Sequence, residues 1–144
     1  MLKQKVADWQ EKADHDLRSV NLIRKDYPLM TDILLFHCQQ ALEKSFKAFL
    51  VTNQVEFEQV HDLQYLCNLC SDIDSSLKTM EKECVTLTSF AVRIRYPNEI
   101  NISDEMALHL ANTTEKYCRT INGKIEVCLN DLMLGKTDNI METM

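Results

Sequence analysis

Glycine and proline are nearly absent, each occurring twice in 144 residues. An all-β domain needs a turn signal roughly every 8–12 residues, so this scarcity excludes one and favours long helices with few connections. No apolar run approaches the ~20 residues that span a bilayer. The first ten residues alternate charged and apolar side chains and lack the apolar stretch of a signal peptide. Positive charge is in short supply too: 16 Lys and Arg stand against 22 Asp and Glu, a net charge of −6. That balance works against unaided binding to nucleic acid, which depends on cations neutralising phosphates, so RNA is not expected as a partner. With no secretory signal, the six cysteines read as reduced thiols of a cytoplasmic protein that behave as small hydrophobes. Cys67 and Cys70 form a C-x-x-C, yet no second ligand pair stands at zinc spacing. An offset of three simply places both on one helix face. No metal site and no resident cofactor is expected.

The hydrophobic share, 45%, is enough for one core, and its spacing is helical. Val6, Trp9, Ala13, Leu17, Val20 and Ile23 recur at three- and four-residue steps, the stripe of an amphipathic helix that Tyr27-Pro28 ends. A second helix runs from about Thr31 to Asn53, with Thr31 or Asp32 as its cap. Leu34, Cys38, Ala41, Leu42, Ser45 and Phe49 form its apolar face. His37, Gln40, Lys44 and Lys47 recur at similar steps and make a neighbouring polar stripe. Residues 53–60 read as a polar connection. Asp62 then caps a short third helix carrying Leu63, Leu66, Leu69 and Ile73, and residues 71–76 form a break. Leu77, Met80, Cys84, Leu87, Ala91 and Ile94 belong to a fourth helix stopped by Pro97.

Ser103 caps the fifth and clearest helix, in which Ala107, Leu110, Thr114, Tyr117, Ile121, Ile125, Cys128 and Leu132 keep helical spacing. Gly123 inside it costs about 1 kcal/mol relative to Ala, which suggests close packing against a neighbour. The expectation is one all-α domain over residues 5–132, an up-and-down antiparallel bundle of about five helices, followed by a flexible tail over 133–144. Leu35, Phe46 and Leu129 fall outside the tidy stripes. Helices apolar on more than one side need another partner, so a homodimer interface is expected there.

Several elements now stand in a particular order. Trp9, Ala13 and Asp16-Leu17 come first. Helix two carries Gln39-Gln40-Ala41-Leu42-Glu43-Lys44 within the run Phe36–Leu50. His61-Asp62-Leu63 follows with Leu66 one turn on, and Arg95-Tyr96-Pro97 closes helix four. In this order and spacing, over roughly residues 5–132, the sequence resembles the HEPN domain family. The resemblance implies a bundle of about five helices, frequent homodimers, and frequent pairing with a separately encoded nucleotidyltransferase, in some cases as a toxin–antitoxin pair. Some relatives bind nucleotides such as ATP; others are metal-independent ribonucleases. The ribonucleases carry an Arg followed after four to six residues by a His. Arg93 and Arg95 stand in that region, but positions 98–102 read Asn-Glu-Ile-Asn-Ile, and none of His15, His37, His61 or His109 has an Arg at that distance before it.

The candidate nucleotide- or partner-binding residues are therefore His37, Gln40, Lys44, Lys47, Arg93, Arg95 and Tyr96, with no residue assigned as catalytic. Lys44 would meet a phosphate as a flexible point charge. Arg93, Arg95 and Tyr96 offer fixed cations and a ring that stacks on a base. The competing readings are plain. A polar stripe is ordinarily a solvated helix face; Asp14, Asp16 or Glu43 could pair with the arginines across the bundle and leave no site. His61 and Asp62 could form a proton-transfer pair, or Asp62 could only cap its helix. A ribonuclease drawing His37 or His61 from elsewhere in the fold, and a purely structural dimer, stand as alternatives to the HEPN-type module.

Overall fold

In the computed structural model the described residues are 1–27, 30–93 and 102–142. Among them the chain forms α1 (Leu2–Asp26), α2 (Thr31–Thr52), α3 (Leu63–Ile73), a 3-10 turn (Ser75–Met80), α4 (Glu81–Arg93) and α5 (Asp104–Glu142), with no strand. This is the expected all-α bundle. No helix of the described residues is long and apolar enough to cross a membrane.

In α1 the expected stripe faces inward: Val6, Ala13 and Val20 are buried, and Trp9, Leu17 and Ile23 pack half-buried against them. Arg24 and Lys25 occupy its last turn, where the carbonyl end of a helix favours cations. α2 is the central element. Its apolar face, Leu34, Cys38, Ala41, Leu42 and Phe49, is buried as expected. Thr31 and Asp32 do not cap it, because Met30 holds the cap position without a side-chain bond; Asp32 sits in the first turn, where a carboxylate still complements the amide end.

The stripe around Leu35 and Phe46 is not an exposed dimer face. Both are buried within this chain, and Leu129 packs half-buried on the core. The reason is topological: α2 packs against α1, α3, α4 and α5, so its second apolar side is covered by its own chain.

Local signals place the remaining boundaries. Asp62 accepts from the amides of Gln64 (2.9 Å) and Tyr65 (3.4 Å) at the start of α3. Ser103 accepts from the amide of Met106 at 3.1 Å. The break after α3 is sharper than its sequence suggests. Asp74 is extended and caps the 3-10 turn, which takes Leu77 and Met80 out of the fourth helix while keeping both buried. The stop at Pro97 lies outside the described residues. α5 runs for 39 residues, through Gly123 and Gly135 to Glu142, so the backbone read as a tail continues as helix. Nothing lies within 4 Å of a Cβ built on Gly123. The close neighbour inferred for that glycine is not found among the described residues.

Consecutive helices are not all antiparallel. α1 runs against α2, with Asp16 beside His37 and Lys44. α2 and α5 run parallel: Cys38 lies beside Thr114, Ser45 beside Cys118, and Asn53 beside Cys128. The cause is the segment between α2 and α3. Val55 donates to Leu50 O (3.0 Å), the Lys47 ammonium lies over the Phe57 ring, and His61 reaches Glu43. This strap walks back along α2 for several turns before α3 begins, so α3 starts near the middle of α2 and runs with it. α4 then returns against α5, tied by Tyr117 Oη donating to Glu83 (3.0 Å) and Lys124 pairing with Asp74.

Candidate functional site

At about 100° per residue the polar residues of α2 form one continuous arc, which their partners divide into two rows: His37, Lys44 and Gln40 on one side, and Gln39, Glu43 and Lys47 on the other. The sequence reading placed Lys47 in the first row; the structure moves it to the second. α1 covers the first row and the strap covers the second.

In the first row Asp16 of α1 is the hub. One carboxylate oxygen meets His37 Nδ1 at 2.8 Å and the other accepts from Lys44 Nζ. Asp16 is buried, whereas His37 and Lys44 keep about a quarter of their side chains exposed, 26% and 21%. The Phe36 ring, 44% exposed, stands edge-on to the His37 ring with centroids 5.3 Å apart.

In the second row Glu43 is the hub. Its carboxylate meets His61 Nδ1 at 2.8 Å and accepts from Lys47 Nζ at 3.2 Å and Gln39 Nε2 at 3.3 Å. Gln39 Nε2 also donates to His61 O at 2.8 Å, and Gln40 Nε2 donates to Gln39 Oε1 at 2.7 Å, which links the two rows. Lys47 and Glu43 are each only 4% exposed at the side chain. The Lys47 ammonium lies between the rings of Trp9 (5.4 Å) and Phe57 (6.0 Å), a cation held on two aromatic faces. His61 differs from every other member of the row: its side chain is 75% exposed.

The chemistry follows from these partners. A carboxylate accepts only from a protonated nitrogen, so each imidazole carries a proton on Nδ1, which leaves Nε2 outside the carboxylate contact. Two rings are thus held in fixed tautomers by buried carboxylates. Each lysine of the stripe is matched by a buried acid, which is how charge is tolerated away from water. The cross-bundle pairing considered for Arg93 and Arg95 falls on side chains outside the described residues. Asp14 pairs with Arg18 at 2.8 Å on the surface of α1, while Asp16 and Glu43 are engaged by α2 and the strap. His61 and Asp62 do not form a pair either; Asp62 caps α3 and His61 turns to Glu43.

Gln40, His37 and Lys44 are therefore brought together, with Lys47 behind them in a structural role. Arg95 and Tyr96 lie outside the described residues, as does the side chain of Arg93. Sequence reasoning did not single out Gln39, Phe57 or the orienting role of Glu43. Gln39, Glu43 and Lys47 stand at steps of four, but Lys47 is also nearly in line with Gln40 seven residues before it, so only the covering elements separate the rows.

The thiols belong to the core. Burial pushes Cys38 and Cys118 up to about 12. Cys67 of the C-x-x-C is lowered instead, by a hydrogen bond with the Cys84 thiol, yet it is fully buried, and Cys70 points its sulfur at Phe46 O. No group of three His, Cys, Asp or Glu among the described residues could hold a metal ion.

The HEPN domain model matches residues 6–124. The chain belongs to the HEPN domain family. The match covers α1 to the middle of α5, and so contains both histidine–carboxylate pairs and the strap of this HEPN domain. Comparison with curated proteins and with solved structures returned no match.

Proposed function

We propose that this HEPN domain is a non-catalytic helical module that pairs with a second copy of itself and with a separate nucleotidyltransferase chain, and that it holds a nucleotide against the polar face of α2. The observation that carries the nucleotide reading is the convergence of His37 and Lys44 on Asp16 at a half-open surface. Asp16 fixes both groups, so little freedom is lost when they meet a ligand. Gln40 lies between them and His61, and the exposed Phe36 ring beside His37 offers an aromatic edge. Arg93, Arg95 and Tyr96 extend the same reading by resemblance to the family. Lys47 is not part of the contact surface, because it is sealed between two rings and its carboxylate. Catalysis in such a pair belongs to the nucleotidyltransferase, and a toxin–antitoxin relationship between the two is the corresponding physiological role.

Thermal unfolding with and without millimolar ATP or GTP tests the binding. A ligand present at 100 times its dissociation constant adds about 2.7 kcal/mol to the folded state. The expected result is a rise in Tm that His37→Ala and Lys44→Gln each reduce while the variants remain folded. No rise with any nucleotide removes direct binding by this chain and leaves the partner surface alone.

One observation favours a second reading. His61, held through Nδ1 by a buried carboxylate and with 75% of its side chain exposed, has the posture of a general acid–base group. A metal-independent ribonuclease that uses it would cleave single-stranded RNA in the presence of chelator, and His61→Ala would abolish the cleavage. Uncleaved RNA at high enzyme concentration, or cleavage that survives the substitution, discards this reading.

A further inference from the structure

We propose that a second copy of this chain packs on the outward face of α5, with the two helices crossing antiparallel at Gly123. The proposal rests on the reading that the protein dimerises and adds to it where, and in which direction, the two copies meet. Gly123 lies well inside a helix, where glycine weakens the element by leaving the backbone freer in the unfolded chain. Its position is exposed, and a side chain there would meet nothing among the described residues within 4 Å. Packing inside the molecule therefore offers no compensation, and the missing side chain leaves room for a backbone from outside.

The residues that share this face at three- and four-residue steps have an ordered charge. Lys116 and Arg119 precede the glycine; Glu126, Val127 and Leu134 follow it; all are exposed. Val127 and Leu134 leave 59% and 62% of their surface open. About a two-fold axis at Gly123, a residue a given number of positions before the glycine meets the residue the same number after it in the other copy. Arg119 then lies over Val127 and next to Glu126 of the other helix, and the reciprocal contact forms on the far side of the axis. A parallel crossing sets Arg119 against Arg119 and Glu126 against Glu126, which repels. The order of charges thus selects the antiparallel two-fold arrangement. Arg119 is open to take part: its side chain is 75% exposed, and among the described residues it pairs with Glu115 one turn away on its own helix.

The test is Gly123→Cys on the full chain with oxidised glutathione. The open space accepts the new side chain, and two thiols facing each other across the axis form a reducible covalent dimer much faster than an exposed control such as Gln64→Cys. Sedimentation supplies the second readout. Arg119→Glu and Glu126→Arg each weaken the dimer at least tenfold, and the double variant restores it; circular dichroism of each variant at low concentration checks that the monomer remains folded. A dimer by mass in which Gly123→Cys crosslinks no faster than the control and the charge variants leave Kd unchanged overturns this face but leaves dimerisation standing. A chain that stays monomeric at every concentration removes both.

Discussion

α2 and α5 carry the same kinds of charged residue at the same helical steps, and the fold treats them in opposite ways. On α2, Glu43 and Lys47 are almost completely removed from water, bonded to each other and enclosed by Trp9, Phe57 and His61. On α5, Glu115 and Arg119 form a pair with the same spacing of four, and the arginine is 75% exposed. Spacing is equal in the two cases; what differs is what lies over them. The strap returns along α2, whereas on α5 Arg24 of α1 reaches Glu115 and Arg119 stands open to solvent among the described residues. A charged step of four is therefore a surface ornament or a fold-defining contact according to its cover, and its energetic weight follows.

The largest effect that distinguishes the two pairs is the loss of a buried partner. Glu43→Ala leaves Lys47 charged between two rings with no acceptor, and removing one partner of a buried pair costs about 3–5 kcal/mol. Arg119→Ala, measured in dilute solution, stays within about 0.5 kcal/mol, as surface substitutions do. Urea unfolding of both variants decides it: similar midpoints would mean that the strap does not seal the second row. A smaller effect comes from Gly123→Ala, which restores helix propensity where the space is open and raises the stability of the monomer by up to about 1 kcal/mol. A fall in the dilute-solution midpoint would mean that the site is crowded within the chain.

The smallest effect lies at Asp74, an ion pair of intermediate exposure. Its hydrogen bond with Lys124, together with those from Ser76, holds its pKa down to about 2. A carboxylate with a lowered folded-state pKa contributes stability above its unfolded value near 3.9, and loses it as pH falls through the folded value. The difference between wild type and Lys124→Met should therefore be present at pH 5 and fade between about pH 4 and 2. Because the pair is solvated, its size stays below about 1 kcal/mol. A difference that persists unchanged at pH 2 would show that Lys124 acts by packing alone.

Much of this molecule is legible along the chain because its signals are local. Asp62 and Ser103 announce helix starts with the amides two and three residues ahead of them. The inward stripe of α1 follows from the 3.6-residue period alone. The polar stripe of α2 was equally visible as a stripe, and Gln40 and Lys44 stood out within it. Its division into two rows was not visible, because it depends on α1 covering one side and the strap covering the other. The apolar residues Leu35 and Phe46 misled for the same reason: an apolar position signals that something covers it, without saying whether the cover is another chain or a later helix of the same one.

By itself the sequence determined that the chain is helical, the caps at Asp62 and Ser103 and the inward stripe of α1, since each depends on hydrogen bonds and side-chain spacing within about four residues. Tertiary structure alone decided that Asp16 would hold His37 and Lys44, that Glu43 would hold His61 and Lys47, and that α2 and α5 would run parallel. Asp16 and Lys44 are 28 positions apart, and Gln10 meets Asn122 across 112. Contacts of that range depend on the path of the connections, above all the strap after α2. That path carries no period from which it could be read.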